Sequence, residues 1–558
     1  MLEWICFLPF CFAVLVGLWP SLEAVSRLAT LGAVLLALLN AWVALHWLST
    51  PQQFQLALFH WENYQFNFTL RYDLVSAVFL GVTTLLGLLV MRFSHFYMVK
   101  EPGQRRFFVT LLLFLSGICC VELAGDIDTL FMGWELVGIS SFVLIGFYRQ
   151  RALPVRHALK VYCIYRLCDV GLLVGAYLQH HNLGSSDFAQ LTSHPIPQFQ
   201  VLAISLLLLL SAAGKSGQFP FSFWVPRAME GPTPSSAIFY GSLSIHAGVF
   251  LLLRTQPLWE QSDIARLAIG TVGLLTATLA TGSSHVQSNL KGQIGYASVA
   301  QVGLMFVELA LGFPRWVLLH FVGNAFLRCY QLLISPSLVA YLLRAQSQNH
   351  ARLKDASWER WLPTRWQATL YVLASQEGYM EGLVEKLVFA LPQWLARHVY
   401  LENSSVLVVW TRSLGLTCLM VVCVADWHTA LPFLAGLLAS FALGLAGIFL
   451  LPSQVRRLPL DHMCGLVSAH PRSARLLFVS FLGMSGFPIT PAFFGEDLLL
   501  SAAIHLHPLA ALVFTGTFIV NGIVLARTLT RLFFGPVDYK SGSTQPQRAS
   551  QELMVSRR

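Results

Sequence analysis

Apolar residues run along this chain in blocks separated by short polar stretches. A helix needs ~20 apolar residues to cross the hydrocarbon core of a bilayer. Such blocks fall near 2 to 20, 27 to 49, 73 to 93, 106 to 125, 128 to 148, 157 to 179, 199 to 218, 233 to 253, 265 to 285, 291 to 312, 315 to 343, 404 to 425, 430 to 452, 473 to 500 and 508 to 533. The pattern predicts about 15 transmembrane helices and an all-α polytopic membrane bundle. One stretch is patterned differently. Residues 367 to 400 carry Glu377, Glu381, Glu385 and Lys386 at helical spacing, which predicts an amphipathic helix lying on the membrane surface. The segment from Tyr539 onward is polar throughout and is expected to be disordered.

Composition agrees. Of 558 residues, 56% are hydrophobic and 11% charged, where a soluble domain carries about 25% charged residues. The first apolar stretch has neither a basic leading region nor a small-residue cleavage site, so it reads as a retained helix. The net charge of +9 does not point to nucleic acid, because the basic residues sit mostly in loops. Loops 93 to 106, 149 to 156, 344 to 366 and 453 to 472 are rich in Arg and Lys, and loop 181 to 198 has none. That bias predicts an extracytoplasmic N-terminus, a cytoplasmic C-terminus and a place in the bacterial inner membrane.

The ten cysteines form no CxxC and no zinc-ligand spacing, and most lie in apolar helices where a buried thiol is the default. His462 and Cys464 form only a lone HxC. There is no P-loop, no GxGxxG after a strand and no haem or iron–sulfur spacing, which argues against an ATP-driven pump or a self-contained redox enzyme. No metal site, cofactor or catalytic residue is expected in this chain.

Chemistry is carried instead by charges inside the spans. An ionisable residue near mid-membrane costs ~3 kcal/mol or more, so each requires a partner, a wet cavity or a task. Glu135 sits in "FMGWELVGISS", Arg166 and Asp169 lie three apart in "YRLCDVG", and Lys215 closes "SAAGK". His246 follows Tyr240 in the next span, and His320, Asn324 and Arg328 recur every four residues on one helix face. Glu496 and Asp497 come after "GFPITP".

Plainer readings exist for several of these residues. Arg166 and Asp169 read most simply as a structural ion pair, His246 as a packing histidine, and the two acids as residues of a first helical turn. Lys215 and Glu135 resist such readings. A desolvated lysine gives up its proton more easily, and an approaching carboxylate restores it, which makes a switchable site. Gly214, Gly217 and Pro220 break the Lys215 span, and discontinuous helices at membrane depth line polar cavities.

Four segments, "DTLFMGWELVGISSFVLIGFYR", "ALKVYCIYRLCDVG", "AAGKSGQFPFSFWVPRAMEGPTPSSA" and "GQIGYASVAQVGLMF", closely resemble the proton-conducting membrane transporter family, the antiporter-like subunits of complex I and Mrp. The resemblance covers roughly 110 to 343 and a block around 483 to 500. It implies two inverted five-helix repeats with discontinuous helices, each holding a half-channel. By motif, Glu135 resembles the family glutamate, Lys215 its broken-helix lysine partner, Arg166 and Asp169 the pair that modulates the glutamate, and His320 a bridging residue. Tyr240 and Asn324 stand where histidines are common, and Arg328 where a relay lysine is usual. An arginine does not deprotonate, so Arg328 can set a field but cannot carry a proton. Glu496 stands where chain-5-type members have a second lysine.

The resemblance implies a division into N-terminal helices (1–105), a first repeat (106–254), a second repeat (255–343 and 473–533), an insertion with the surface helix and two extra spans (344–472) and a cytoplasmic tail (534–558). Chain-5 subunits end in a long lateral helix and an anchor, and this chain is expected to stop too early for both. Its insertion and its "GFPITPAFFGEDLLL" are most similar to the DabB subunits of DabA/DabB inorganic-carbon accumulation complexes. That likeness implies a cation-conducting subunit, embedded in membrane lipid, that energises carbon dioxide hydration to bicarbonate at the zinc of a large DabA-like partner on the cytoplasmic side. The alternatives are an ion-translocating subunit of a complex I-like or Mrp-like assembly, and a non-transporting scaffold for a soluble enzyme.

Overall fold

The computed structural model describes residues 1–536 apart from 48–49, 51, 62–63, 100, 184, 193–194, 350–362, 402–403, 425–426, 458–459, 461–462, 489 and 507. His462 and the tail from Tyr539 therefore lie outside the described residues, as does the side chain of Asp497. The first four helices are α1 (Leu2–Leu18), α2 (Leu22–Trp47), α3 (Leu74–Tyr97) and α4 (Gln104–Leu123). They are followed by α5 (Ile127–Ile145), α6 (Ala152–Leu183), α7 (Gln198–Lys215) and the short α8 (Trp224–Ala228). A composite span holds α9 (Thr233–Ser236), a π-helical turn (Ala237–Ser242) and α10 (Ala247–Arg254). Then come α11 (Gln256–Trp259), α12 (Asp263–Val286), α13 (Leu290–Ala310) and α14 (Pro314–Asn349). The remainder comprises α15 (Thr364–Ser375), α16 (Met380–Leu387), α17 (Ala390–Leu395), α18 (Val406–Val424), α19 (Trp427–Phe449), α20 (Ser453–Arg456), α21 (Pro471–Met484), α22 (Pro491–Leu506) and α23 (Pro508–Phe533).

Among the described residues, 12 helices are long and apolar enough to cross a membrane. The other expected spans depart from that standard for visible reasons. α1 has 17 residues, and α13 is diluted by Lys291, Gln293, Gln301 and Glu308. The span expected over 473 to 500 is two helices, α21 and α22, because Gly486 turns the chain in the left-handed region (φ +63°) and Pro491 starts anew.

The hydropathy pattern assigns no element to residues 50 to 72, and there the structure forms an antiparallel hairpin of β1 (Gln52–Trp61) and β2 (Tyr64–Tyr72). Its inner face is Phe66, Phe68, Leu70 and Tyr72, all buried. These alternate with Asn67, Thr69 and Arg71, the period-2 pattern of a half-buried strand. The hairpin joins the start of α5: Gly125 N–H donates to the Thr69 carbonyl (2.8 Å), and Thr69 N–H to Thr129 Oγ1 (2.9 Å). Asp126 caps α5 by accepting from Thr129 N–H at 2.7 Å.

The expected surface helix over 367 to 400 is a broken chain of helices. α15 and α16 are separated by a turn at 377–379 in which Glu377 (φ +54°) and Tyr379 (φ +59°) adopt left-handed backbone. The break aims acids inward. Glu377 pairs with Arg227 of α8 at 2.8 Å, Glu385 with Lys160 of α6 at 2.7 Å, and Glu381 with both cations. α15 also lies along α12, where Ser283 Oγ donates to the Ala374 carbonyl at 3.0 Å. Burial pushes the Glu381 carboxyl up, but Lys160 and Arg227 outweigh it and hold the group below the usual carboxylate range. Its pairing is therefore present at neutral pH and lost only as acid titrates it through that lowered value.

A Cβ at position 282 would lie 3.6 Å from Ala374 Cβ, inside the ~3.5–4.5 Å range of disulfides. The double variant Gly282→Cys/Ala374→Cys is expected to cross-link on mild oxidation, read as a mobility shift that neither single variant shows.

Candidate ion-conducting site

Lys215 is the last residue of α7 and is fully buried. The helix stops there because Gly217 adopts φ +59°, a left-handed turn that a side chain disfavours. The terminal backbone is still satisfied. Ser216 and Gln218 N–H groups bond back to Ala212 and Ala213, and the Trp224 indole of α8 donates to the Gly214 carbonyl at 3.0 Å.

The Lys215 ammonium donates to the Trp134 carbonyl at 2.8 Å. It also lies over two aromatic rings, 5.0 Å from the Trp134 centroid and 4.4 Å from that of Tyr165. Gly138 makes the room, since a Cβ there would meet Lys215 Nζ at 3.3 Å. Trp134 immediately precedes Glu135, and its indole N–H donates to Asp169 at 2.6 Å. One tryptophan thus links the lysine, through its carbonyl and ring, to an acid on α6.

The expected ion pair between Arg166 and Asp169 does not form. Arg166 instead pairs with Glu135 at 2.7 Å, and its other nitrogen donates to the Ser485 carbonyl at 2.6 Å. Three residues separate Arg166 and Asp169 on one helix face, but Asp169 turns to Trp134 and Arg166 turns across to α5 and the 485 turn. A narrow crevice follows this seam, lined by Glu135, Tyr162, Arg166, Asp169 and Ser485 among others. An adjoining narrow crevice is lined by Glu135, Arg166, Asp169 and Glu496 among others. The break between α21 and α22 therefore delivers Glu496 to the Glu135–Arg166 pair.

The remaining candidates form a second group. His246 Nδ1–H donates to the Ser242 carbonyl, which leaves Nε2 to accept from Asn324 Nδ2 at 3.1 Å. Asn324 Oδ1 accepts from Arg328 Nε at 3.2 Å, and Arg328 continues to Gln331 at 2.8 Å. Tyr240 sits between the groups. The Trp224 ring packs edge-on against Tyr165 (5.2 Å) and Tyr240 (5.5 Å). His320 stands one turn from Asn324 and bonds elsewhere, to Glu308 at 2.8 Å and Gln301 at 2.9 Å.

Sequence reasoning missed Trp134, Ser485 and Glu308. Glu308 was findable, as an acid inside the apolar run "VGLMFVELALG". Ser485 was not, because its contribution is a backbone carbonyl presented by a turn. Among the described residues, no group of three or more His, Cys, Asp or Glu side chains converges on a metal.

These features define a class of polytopic helical membrane protein with a pairwise-linked set of buried charges and two interrupted helices. Comparison with known proteins narrows that class. Residues 124–358 match the family described as NADH:quinone oxidoreductase/Mrp antiporter, transmembrane, and residues 59–108 the family described as NADH-ubiquinone oxidoreductase (complex I), chain 5 N-terminus. NADH-quinone oxidoreductase subunit L of Pseudomonas aeruginosa is 33% identical over 336 residues, 58% of this chain and 54% of that protein. Subunit L of Escherichia coli is 31% identical over 335 residues, again 58% and 54%. The chain spans about half the length of the curated relatives it matches. Its fold is similar to that of the Mrp complex from Dietzia sp. DQ12-45-1b, with a TM-score of 0.53 and 21% identity over 94% of this chain and 55% of that one. Over these stretches the chain is similar to membrane subunits of complex I and Mrp antiporters.

Replacing either Glu135 or Arg166 by Gln leaves the other charge buried without its partner, at an expected cost of about 3–5 kcal/mol. The double variant is expected to lose less than the sum of the two, as measured by unfolding of the purified protein in detergent.

Proposed function

We propose that this chain conducts cations, specifically protons, through Glu135, Lys215, His320 and Glu496. The observation that carries this reading is the fully buried Lys215 ammonium, held by the backbone carbonyl of the residue beside Glu135. The carbonyl that Lys215 bonds belongs to Trp134, next in sequence to Glu135, the acid that Arg166 pairs with. Arg166 has a second acid, Glu496, within its crevice. A shift of Arg166 toward Glu496 frees Glu135 to draw Lys215, and an ammonium facing a carboxylate holds its proton where an isolated one releases it. Partner exchange of this kind gives an alternately loaded and unloaded site. Arg328 keeps its charge throughout and sets the field of the second group.

Two breaks built on left-handed glycines, Gly217 and Gly486, favour the inverted-repeat division over 106–254 and over 255–343 with 473–533. The Arg and Lys bias of the loops favours the inner membrane with the N-terminus outside.

The fuller reading makes the chain a DabB-type subunit that energises a zinc-containing DabA-type partner, where carbon dioxide becomes bicarbonate. It is supported by "GFPITPAFFGEDLLL" and by residues 359–472, which lie beyond the family match. The second reading, a subunit of a complex I-like or Mrp-like assembly, is favoured by the identity to subunit L over 336 residues.

Lys215→Ala is expected to abolish ion flux in reconstituted vesicles while assembly persists. Flux that survives this change refutes conduction through the site. Co-expression with the DabA-type partner is expected to restore growth in air of a host lacking carbonic anhydrase, and an uncoupler is expected to abolish that rescue. Rescue that ignores the uncoupler removes energy coupling, and failure of the pair to rescue favours the complex I-like or Mrp-like reading.

A further inference from the structure

The surface segment binds the membrane bundle at one defined place. Glu381 on α16 contacts Lys160 of α6 and Arg227 of α8 together. Those two helices carry or support opposite halves of the site. Lys160 lies six residues before Arg166, about 9 Å along α6 at 1.5 Å per residue, with Asp169 just beyond. Arg227 shares α8 with Trp224, whose indole holds the Gly214 carbonyl next to Lys215. Glu377 and Glu385 add one further pairing to each cation.

The neighbouring seam between α6 and α7 is tight. A Cβ on Gly214 would lie 2.3 Å from Cys168 Cβ, and Ser211 Oγ of α7 donates to the Cys168 carbonyl of α6 at 2.6 Å. Cys168 is buried there as a free thiol, beside Asp169. Lys160, Arg227 and Glu381 are each only partly exposed, with side-chain exposures of 23%, 23% and 32%. Their pairing is therefore less screened than that of a fully solvated surface bridge. Glu381 lies outside residues 124–358, the stretch that matches the family described as NADH:quinone oxidoreductase/Mrp antiporter, transmembrane.

We propose that Glu381 is a positioning residue for the Lys215 site. By clamping Lys160 to Arg227, it sets the spacing between the helix bearing Arg166 and Asp169 and the broken helix bearing Lys215. The proposal rests on the conduction reading for its consequence, though not for its geometry. Loss of the clamp lets α6 and α7 part, draws Lys215 away from the Trp134 carbonyl and slows the exchange of partners at Glu135.

The test uses Cys168 as a native reporter. Full-length protein in native membranes is treated with a membrane-permeant maleimide, and labelling at Cys168 is read by peptide mass spectrometry alongside ion flux in vesicles. Glu381→Gln is expected to raise Cys168 labelling several-fold and lower flux several-fold, and Glu381→Asp to restore both in part. A Cys168 labelled no faster in Glu381→Gln than in the unaltered chain overturns the proposal. So does faster labelling with undiminished flux, which makes the clamp structural only, and so does failure of Asp to restore either quantity. Where Glu381→Gln yields no folded protein, Lys160→Gln removes one of the two bridged partners and is read the same way. Lys215→Ala is run in parallel. If its flux is unchanged, the conduction reading falls by itself, and Cys168 labelling alone decides the clamp.

Discussion

The structure is organised around one buried ammonium. Lys215 has left water entirely, and an isolated charge in so apolar a setting carries a penalty of several kcal/mol. Its surroundings answer that penalty piece by piece. α5 offers a main-chain carbonyl and the ring of Trp134, α6 offers the ring of Tyr165, and Gly138 leaves the space in which Nζ sits. The end of α7 is shaped by the same demand. A helix that continued past Lys215 would bury its carbonyls in its own ladder, whereas the turn at Gly217 lets α8 fold back and satisfy Gly214 through Trp224.

Around this centre the acids outnumber the arginine they face. Glu135 and Glu496 share a crevice with Arg166, and the guanidinium is also tied to the Ser485 carbonyl of a turn more than three hundred residues away in sequence. A guanidinium offers several donors in a fixed fork, so one Arg166 can hold a carboxylate and a carbonyl at once and can change carboxylates without losing its charge. The C-terminal helices are therefore part of the first group's chemistry. The His246–Asn324–Arg328 chain, reached across the Tyr165, Trp224 and Tyr240 rings, is a separate polar system.

Much of this was legible in the chain and some was not, for physical reasons. Length and apolarity gave the spans, because the bilayer imposes both. Glu135, Arg166, Asp169, Lys215 and Glu496 stood out as charges in apolar runs, and the structure brings all but Lys215 to one crevice lining, with Lys215 one residue's carbonyl away. The pairing of Arg166 was not legible. Helical spacing shows which residues share a face, but not which neighbouring helix that face meets. The hairpin was legible in the alternation of Phe66, Phe68, Leu70 and Tyr72, a period that a search for long apolar blocks passes over. The surface segment showed its acids but not their targets, since Lys160 and Arg227 lie more than a hundred residues upstream.

The hairpin also bears on what can move. β2 is hydrogen-bonded to the first turn of α5 through Thr69, and Asp126 caps the same turn. α5 is consequently anchored at one end against sliding along its own axis, and it carries both Trp134 and Glu135. In mechanical terms α5 is the stator. The turns next to Lys215 and Ser485, at Gly217 and Gly486, lie outside α5, so the carbonyl that Lys215 bonds and the carboxylate that Arg166 bonds both belong to the anchored part.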